Sequence, residues 1–347
     1  RNDHIRVNID GGAGNDTINN SAMFWSEYGI FSDYRSSDDS SINGGAGNDS
    51  IKNDFCGNAS IVAGDGNDTI RNYGGHHSKI DGGAGDDYIH NDTYTWYNTS
   101  TRRYVTNSSN NSTINAGTGN DTIYSTTDRN IIIGGAGNDS VYNSGSYVTI
   151  SGGTGVDTIR SYGRNASINA GDGSDYVYNT GSSSTIDAGT GNDTIRSYGN
   201  YSSINAGDGN DTIENYGSYS SLNGGAGNDS ILAGEGNNYI DGGDGADLVS
   251  ITGSGNNTIL GNTGNDTIYI GGTGDGNDAN GANTIDGGAG NDLIYIYGSG
   301  TNTVSAGAGD DSMIGGTGND YLDAGAGNDY IAGGEGGENT LIGGAGN

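Results

Sequence analysis

A nonapeptide repeat runs along nearly the whole chain and limits the folds that the chain can adopt. In its fullest form the repeat reads Gly-Gly-x-Gly-Asn-Asp-x-Ile, as in residues 11–18, 44–51 and 224–231. Eighteen residues, or two nonapeptides, separate its closing aspartates over the middle of the chain, and the second nonapeptide of each pair, as in residues 195–203, lacks the aspartate. The period therefore predicts coils that each contain two short strands and two unlike turns. The closing aspartates that keep this period are Asp121, Asp139, Asp157, Asp175, Asp193, Asp211, Asp229 and Asp247.

This arrangement predicts an all-β fold: a right-handed parallel β-roll or β-solenoid of about 18 residues per coil, continuous over residues 1–347. Each short strand points Ile or Val inward, and glycine permits tight turns at positive φ. Proline would interrupt the strand ladder, and the chain contains none. Insertions at residues 19–41 and 90–113 enlarge two half-coils, and residues 230–347 are rich in glycine on both edges.

The composition alone is not that of an ordinary globular domain. The 347 residues include 70 Gly, are 30% hydrophobic and carry a net charge of −31. Low apolar content with high net charge normally predicts disorder, so we expect a bound cation to supply the missing stabilisation. The pI of 4.1 argues against a nucleic-acid partner, and no apolar run approaches the ~20 residues needed for membrane insertion. The single Cys56 excludes an intrachain disulfide and a cysteine-rich zinc site.

The tandem Gly-Gly-x-Gly-x-Asp-x-Ile/Leu/Val motifs resemble the calcium-binding repeats-in-toxin (RTX) β-roll family over almost the whole chain. The resemblance implies that turn carbonyls and aspartate carboxylates of neighbouring coils share a Ca²⁺ ion. It also implies a bacterial protein that is exported by a type I route and folds only in extracellular calcium. One edge of the solenoid, here named edge A, carries an aspartate in each turn, and these are the predicted metal ligands: Asp16, Asp49, Asp68, Asp87, Asp121, Asp139, Asp157, Asp175, Asp193, Asp211, Asp229, Asp247, Asp266, Asp292, Asp311 and Asp329.

The opposite edge, edge B, lacks this regular aspartate. Over roughly residues 52–222 its turns have no ligand carboxylate, and beyond residue 230 asparagine replaces the aspartate, with Asp320 as the exception. An asparagine oxygen adds no charge to a calcium site, and stacked asparagines can form amide ladders instead. We therefore expect a continuous calcium row on edge A and few or no ions on edge B. The edge-B asparagines in question are Asn238, Asn257, Asn302 and Asn339.

The charge of the chain agrees with a row of about 15 calcium ions. The edge-A turns leave about fifteen intervals, and a divalent ion in each would add roughly +30, against a net charge of −31. Without metal the stacked carboxylates repel one another at ~5 Å, so we expect the metal-free chain to be unfolded.

The two insertions contain most of the bulky aromatic residues outside the repeat. They could form a local cap on the solenoid, or an exposed surface for a partner. That partner would be a second copy of the chain or a surface glycan that stacks on tryptophan. A row of outward residues that includes Tyr124, Tyr142, Arg160 and Arg196 either stabilises the solenoid by stacking or forms a lateral contact surface. The insertion residues predicted for an interface are Phe24, Trp25, Phe31, Trp96 and Tyr97.

The two ends of the sequence suggest a joint between subunits. The chain stops at Asn347 within an edge-A turn, and Asp3 near the start could complete such a turn. One expectation is head-to-tail polymerisation in which these two residues share a Ca²⁺ ion. The alternative is that the chain is a fragment of a longer array.

The sequence gives no sign of an enzyme. Its four histidines have no metal-ligand spacing, and no base accompanies Cys56. We predict a calcium-stabilised extracellular structural protein that self-assembles into a filament, surface layer or adhesin rod. The alternative is an accessory segment of a larger secreted enzyme or toxin. Ice binding is a third hypothesis, which the irregular turn residues Thr118, Ala136, Thr154 and Asp172 disfavour.

Overall fold

The computed structural model describes residues 7–21, 39–54, 56–98, 103–107, 109–271 and 281–346. Several residues of the predicted interface lie outside this part of the chain: Asp3, Phe24, Trp25, Phe31 and Asn347. The same holds for most of the insertion at residues 19–41. The chain divides into two compact units, residues 1–172 and 173–347.

The described residues of the first unit form seventeen strands, and all but two of these strands belong to the solenoid. These strands are β1 (Asn8–Ala13), β2 (Thr17–Ser21), β3 (Ser41–Ala46), β4 (Ser50–Asp54), β5 (Ser60–Asp65), β6 (Thr69–Tyr73), β7 (Lys79–Ala84), β8 (Tyr88–Asp92), β9 (Tyr94–Asn98), β10 (Arg103–Asn107), β11 (Thr113–Thr118), β12 (Thr122–Ser125), β13 (Ile131–Ala136), β14 (Ser140–Asn143), β15 (Thr149–Thr154), β16 (Thr158–Ser161) and β17 (Ser167–Asp172).

Successive coils of the first unit pair in parallel and in register. The odd-numbered strands other than β9 form one sheet and the even-numbered strands other than β10 form the other. Ile132 of β13, for example, lies beside Ile150 of β15, and Val141 of β14 lies beside Ile159 of β16. The prediction of an all-β parallel solenoid with about 18 residues per coil is therefore confirmed.

In the second unit the part of the chain that the structure describes repeats the same arrangement with eighteen strands. They are β18 (Tyr176–Asn179), β19 (Thr185–Thr190), β20 (Thr194–Ser197), β21 (Ser203–Asp208), β22 (Thr212–Asn215), β23 (Ser221–Ala226), β24 (Ser230–Ala233), β25 (Tyr239–Asp244), β26 (Leu248–Ile251), β27 (Thr258–Thr263), β28 (Thr267–Ile270), β29 (Thr284–Ala289), β30 (Leu293–Ile296), β31 (Thr303–Ala308), β32 (Ser312–Ile314), β33 (Tyr321–Asp323), β34 (Tyr330–Ala332) and β35 (Thr340–Ile342). Here too the odd-numbered strands pair with one another, as β19 does with β21, and so do the even-numbered strands, as β20 does with β22.

The core of each unit is a narrow stack of β-branched side chains. In β13 and β15 the second residue of the strand, Ile132 or Ile150, is buried, and its neighbours in the strand point outward. Alternation with a period of two residues sends every second side chain inward, and branched side chains pack well on a pleated surface. With little room for larger residues, the core uses Ile repeatedly rather than a mixture of shapes.

The edge-A turns require glycine because successive coils approach closely there. Gly135 has a φ of 120°, and a β-carbon on it would lie 1.9 Å from the carbonyl oxygen of Gly117 in the preceding coil. Neither that conformation nor that distance admits a side chain, which explains why glycine fills this position in almost every coil. One coil places Asn262 there at a φ of 74°, within the left-handed region that asparagine tolerates.

The insertion at residues 90–113 contains a hairpin that stands apart from the coils. Strands β9 and β10 pair with each other in antiparallel fashion, while β7 pairs with β11 and β8 with β12 on either side of them. The solenoid therefore continues across the hairpin without a missing coil. Trp96 and Tyr97 lie in β9. Among the described residues there is no helix that could span a membrane.

Candidate metal centre

Edge A holds the predicted aspartates in one hydrogen-bonded ladder within each unit. Each edge-A turn joins an odd-numbered strand to the following even-numbered strand, and its closing aspartate lies immediately before that strand. In the first unit the backbone N–H of Asp121 donates to Oδ1 of Asp139 at 2.8 Å, and the N–H of Asp139 donates to Oδ1 of Asp157 at 2.7 Å. In the second unit the N–H of Asp211 donates to Oδ1 of Asp229 at 2.8 Å. One carboxylate oxygen of each aspartate is thus fixed by the coil before it.

The other carboxylate oxygen, Oδ2, is buried and accepts no hydrogen bond. Asp139, for example, is only 2% exposed. A buried carboxylate oxygen without a partner is costly, and native proteins rarely leave one in that state. The same condition repeats along both units, at Oδ2 of Asp16, Asp49, Asp68, Asp87, Asp121, Asp139, Asp193, Asp211, Asp229, Asp247, Asp266, Asp292, Asp311 and Asp329.

A backbone carbonyl of the next coil faces the same space as this oxygen. A β-carbon on Gly134 would lie 2.4 Å from Oδ2 of Asp139 and 2.5 Å from the carbonyl oxygen of Gly152 in the next coil. In the second unit a β-carbon on Gly224 would lie 2.5 Å from Oδ2 of Asp229 and 2.3 Å from the carbonyl oxygen of Gly242. Two oxygen atoms therefore converge on one point, and neither of them can donate a hydrogen bond to the other.

Burial raises the pKa of these carboxyl groups, and neighbouring carboxylates raise it further, although the backbone hydrogen bond opposes both effects. The pKa of Asp87, of Asp139 and of Asp247 rises to about 7. The pKa of Asp193, of Asp229 and of Asp292 rises to about 6. Without a cation, ionisation of the ladder therefore costs more free energy in the folded state than in the unfolded chain.

These residues fit Ca²⁺ better than a metal held by side chains alone. Among the described residues, no three His, Cys, Asp or Glu side chains form a metal-binding group. Calcium takes about six to eight oxygen ligands and accepts backbone carbonyls beside carboxylates. Each interval on edge A offers both kinds of oxygen, because it lies between two successive aspartates and is flanked by turn carbonyls.

Edge B of the second unit has the same ladder with asparagine in place of aspartate. The backbone N–H of Asn257 donates to Oδ1 of Asn283 at 2.9 Å, and the N–H of Asn283 donates to Oδ1 of Asn302 at 3.1 Å. Here the second side-chain atom is an amide nitrogen, which has donors to offer. Nδ2 of Asn283 donates to the carbonyl oxygen of Gly281 at 3.2 Å and to Oδ1 of Asn302 at 2.9 Å.

A second amide ladder, which was not predicted from the sequence, lies on edge B of the first unit. Nδ2 of Asn20 donates to Oδ1 of Asn53 at 2.8 Å, and the ladder continues to Asn72 and Asn91 at 2.7 Å per step. All four residues are buried. The available signal was an asparagine two residues after the buried Ile in four successive coils.

The outward row that includes Tyr124 makes the contacts expected of same-face neighbours. The rings of Tyr124 and Tyr142 have centroids 5.7 Å apart, and Nε of Arg196 lies 2.6 Å from Oε2 of Glu214. A cation–π contact occurs elsewhere, on edge B, where the Arg129 guanidinium lies 5.4 Å from the Tyr147 ring centroid.

Comparison with known proteins gives a family and a structural likeness. The chain is similar, at 22% identity and a TM-score of 0.47, to a hyperactive, Ca²⁺-dependent, β-helical antifreeze protein from an Antarctic bacterium, over 91% of this chain and 83% of that one. No curated protein matches it. The sequence profile of the RTX calcium-binding nonapeptide repeat matches residues 8–22, 36–52, 57–76, 77–93, 107–144, 187–215, 221–249, 251–279, 271–295, 296–331 and 333–347. These matches cover most of the chain, which therefore belongs to the RTX calcium-binding repeat family.

Proposed function

We propose that this chain is an extracellular structural protein whose edge A binds one Ca²⁺ ion between each pair of successive coils, about 15 in all. The proposal rests on one observation: the buried Oδ2 atom accepts no hydrogen bond in edge-A aspartates such as Asp139 and Asp229. A Ca²⁺ ion between coils would give each of these atoms a ligand bond and would cancel the charge that accumulates along the ladder. When bound, the ion would hold neighbouring coils together electrostatically and would have a structural role.

The sequence of the second unit supports the proposal that a cation from solution neutralises the edge-A carboxylates. No Lys, Arg or His follows Arg196 in the chain, and Arg196 pairs with Glu214 on the outer face. The carboxylates of edge A beyond that point therefore have no basic side chain later in the sequence to neutralise them. A divalent ion would compensate this column of buried negative charge.

Exposed tyrosines on edge B support self-association as the structural role. Tyr201 and Tyr219 are 61% and 54% exposed, and their rings stack with centroids 5.3 Å apart. Tyrosine is enriched in protein interfaces because it offers a large rigid surface with a polar tip. A stacked and exposed pair of this kind, fixed on a stiff edge, suits lateral contact between copies of the chain.

Negative-stain electron microscopy and sedimentation velocity test this role, in millimolar calcium and after chelation. We expect filaments or lateral assemblies that require calcium and are lost in the double variant Tyr201→Ala and Tyr219→Ala. Tyr330→Ala is the control, since that tyrosine is 58% exposed but begins β34 directly after the edge-A turn, away from edge B. Particles that stay monomeric in calcium at all concentrations would contradict self-assembly and favour an accessory segment of a larger secreted protein.

A further inference from the structure

We propose that a row of basic and aromatic side chains on the first unit binds a row of carboxylates on the second unit of another copy of the chain. The inference rests on the self-association proposed above, and it adds where the copies meet and why they need calcium. The basic row lies on the even-numbered strands of the first unit and consists of Lys52, Arg71, His90, Tyr124, Tyr142 and Arg160. The acidic row lies on the odd-numbered strands of the second unit and consists of Asp187, Asp241, Asp286 and Asp323.

Charge is divided unequally between the two units. The first unit carries 11 of the 12 Lys and Arg residues and 20 of the 43 Asp and Glu residues, whereas the second carries one and 23. With histidine neutral, the formal net charges are therefore −9 for the first unit and −22 for the second. A basic surface on the first unit is thus matched by an acidic second unit that has almost no cations.

Calcium on edge A would turn this inequality into a difference of sign. Seven of the predicted edge-A aspartates belong to the first unit and nine to the second. One ion in each interval between them would add roughly +12 to the first unit and roughly +16 to the second, leaving about +3 and about −6. Units of different copies would therefore attract one another in calcium, whereas in chelator both are negative and repel.

The basic end of the row holds positive charges side by side. Lys52 lies beside Arg71 in the next coil, and Arg71 lies beside His90. Like charges at directly paired positions of a sheet are unfavourable. Nζ of Lys52 lies 2.6 Å from Oδ2 of Asp54, but the exposed Arg71 forms no ion pair among the described residues. This end of the row therefore offers an unbalanced positive charge to a partner.

The row continues with tyrosines and ends on a further arginine. Tyr124 pairs with Tyr142, and Tyr142 pairs with the exposed Arg160. The rings of Tyr124 and Tyr142 have centroids 5.7 Å apart, and Tyr124 is 38% exposed. A tyrosine hydroxyl can donate to a carboxylate, and Tyr and Arg are both enriched where proteins meet.

The acidic row has no basic side chain in its own unit to neutralise it. Asp187 and Asp286 are each the third residue of their strands, β19 and β29, and both are exposed. The second unit contains a single Lys or Arg, and this residue, Arg196, lies in β20 of the other sheet and pairs with Glu214. The carboxylates of the row are therefore available to cations from outside the unit.

The spacing of the two rows favours a second copy over an unrelated polyanion. Each row takes one residue from every coil, and the coils pair in register, so both rows repeat at the strand spacing of ~4.8 Å. Lys52 and Arg160 are five coils apart. Asp187 and Asp286 are also five coils apart. Two copies can therefore align both pairs at once.

Sedimentation velocity of the full chain in millimolar calcium tests this contact by charge reversal. We expect the double variant Arg71→Glu and Arg160→Glu to need at least a tenfold higher concentration to assemble, because its basic row becomes acidic. The double variant Asp187→Lys and Asp286→Lys should show the same loss. An equimolar mixture of the two should assemble again, since each reversed row then meets a row of the opposite sign.

A matched control and a salt titration complete the test. Lys79→Glu with Arg164→Glu changes the net charge by the same amount, but these exposed residues lie in β7 of the other sheet and in an edge-B turn, so the variant should assemble like the unaltered chain. Raising the salt from about 0.15 M to about 1 M should disperse assemblies of the unaltered chain, because salt screens exposed charges. This measurement needs no variant to fold.

The outcomes separate this contact from self-association in general. Assembly that withstands the salt, that neither double variant weakens, or that the mixture fails to restore would overturn the contact. If such assembly still required Tyr201 and Tyr219, the proposed self-association would stand and this contact alone would fail. A chain that stays monomeric in calcium would contradict both.

Discussion

The two edges of the second unit present the same ladder with different atoms at its inner position. On edge A the inner atom is a carboxylate oxygen, as in Asp229, and it has no donor. On edge B it is an amide nitrogen, as in Asn283, and it donates to the carbonyl of Gly281 and to the next asparagine. The amide at Asn283 finds acceptors within the chain, whereas the inner carboxylate oxygen at Asp229 finds no donor. We therefore expect this change of oxygen for NH₂ to separate an edge that needs calcium from one that does not.

The backbone differs between the edges as well. Edge-A turns use glycines at φ values such as 120° for Gly135, which side chains rarely adopt. Edge-B turns place ordinary residues near the left-handed helical conformation, with φ of 60° at Tyr147, 59° at Ser183 and 59° at Tyr201. That conformation costs an ordinary residue about 1–2 kcal/mol but admits a side chain. Edge B can therefore display tyrosines, whereas the close packing of coils on edge A leaves no space for them.

Removing calcium should have the largest effect. With a chelator, the edge-A ladder retains its charge and loses its ligand, so we expect loss of the β-sheet signal in far-ultraviolet circular dichroism and recovery when calcium is restored. Magnesium at the same concentration is the control and should restore little, because it prefers a tighter octahedral shell. A chelated chain that keeps its full β-sheet signal and melts cooperatively at the same temperature would contradict the dependence of edge A on metal.

Replacing an edge-A glycine should be the most damaging single substitution. Gly135→Ala combines strain at positive φ with a clash against the carbonyl of Gly117, and we expect a loss of about 3 kcal/mol or more in the free energy of unfolding. Gly12→Ala has the same kind of φ, 93°, but none of the described residues places an atom within 4 Å of the added β-carbon. Thermal melts of both variants in saturating calcium separate the effect of backbone strain from that of the clash between coils. Equal losses of stability in the two variants would show that the clash adds nothing to the destabilisation.

The pH dependence of the chelated chain should be the reverse of ordinary acid denaturation. Burial raises the pKa of Asp139 and Asp247 from 3.8 to about 7. The metal-free fold is therefore most favourable when both states are protonated, below about pH 4, and it loses stability as the pH rises through about 7. In chelator we expect more β-sheet signal at pH 5 than at pH 8. A larger signal at pH 8 would mean that these carboxyl groups are not buried together.

Exchanging the two residue types between edges should change how strongly calcium stabilises the chain. Asp229→Asn removes a calcium ligand from edge A, and Asn283→Asp buries a carboxylate on edge B at a cost of about 1–3 kcal/mol before calcium compensates. Because a ligand stabilises the state that binds it, the melting temperature of Asp229→Asn should rise less steeply with calcium concentration, and that of Asn283→Asp more steeply. Identical slopes for both variants and the unaltered chain would remove the distinction between the edges.

Relieving the backbone strain of edge B should have the smallest effect, and in the stabilising direction. Ser183→Gly keeps the backbone hydrogen bond from residue 183 to the carbonyl of Asn200 and removes a left-handed serine, so we expect a gain of about 1 kcal/mol. Ser182→Gly is the neighbouring control, and it should be neutral or destabilising because glycine adds entropy to the unfolded chain. Denaturant unfolding in saturating calcium measures both. A loss of stability in Ser183→Gly would contradict the interpretation that the backbone of Ser183 is strained.

The sequence predicted the features that depend on period alone. The 18-residue spacing was enough to place Asp121, Asp139 and Asp157 on one edge and the repeated Ile residues in the core, because parallel in-register coils align equivalent positions. The different environments of the two oxygens in each carboxylate could not be predicted. Which oxygen meets the N–H of the neighbouring coil, and which is left buried, depends on the path of the turn.

The edge-B features were harder to predict because the turns there vary in sequence. The ladder from Asn20 to Asn91 lies in coils of unequal length, so its members have no constant spacing along the chain. The left-handed conformation of Tyr147 and Tyr201 leaves no mark in the sequence, since tyrosine is not a residue type expected there. Both features depend on how consecutive coils stack.

A crystal structure grown in saturating calcium, with anomalous diffraction from the ions or from a lanthanide replacement, tests the central claim most directly. We predict a row of anomalous peaks between successive aspartates of edge A and none along Asn257, Asn283 and Asn302. Peaks along the amide ladder, or edge-A carboxylates that remain without an ion at saturating calcium, would contradict this claim.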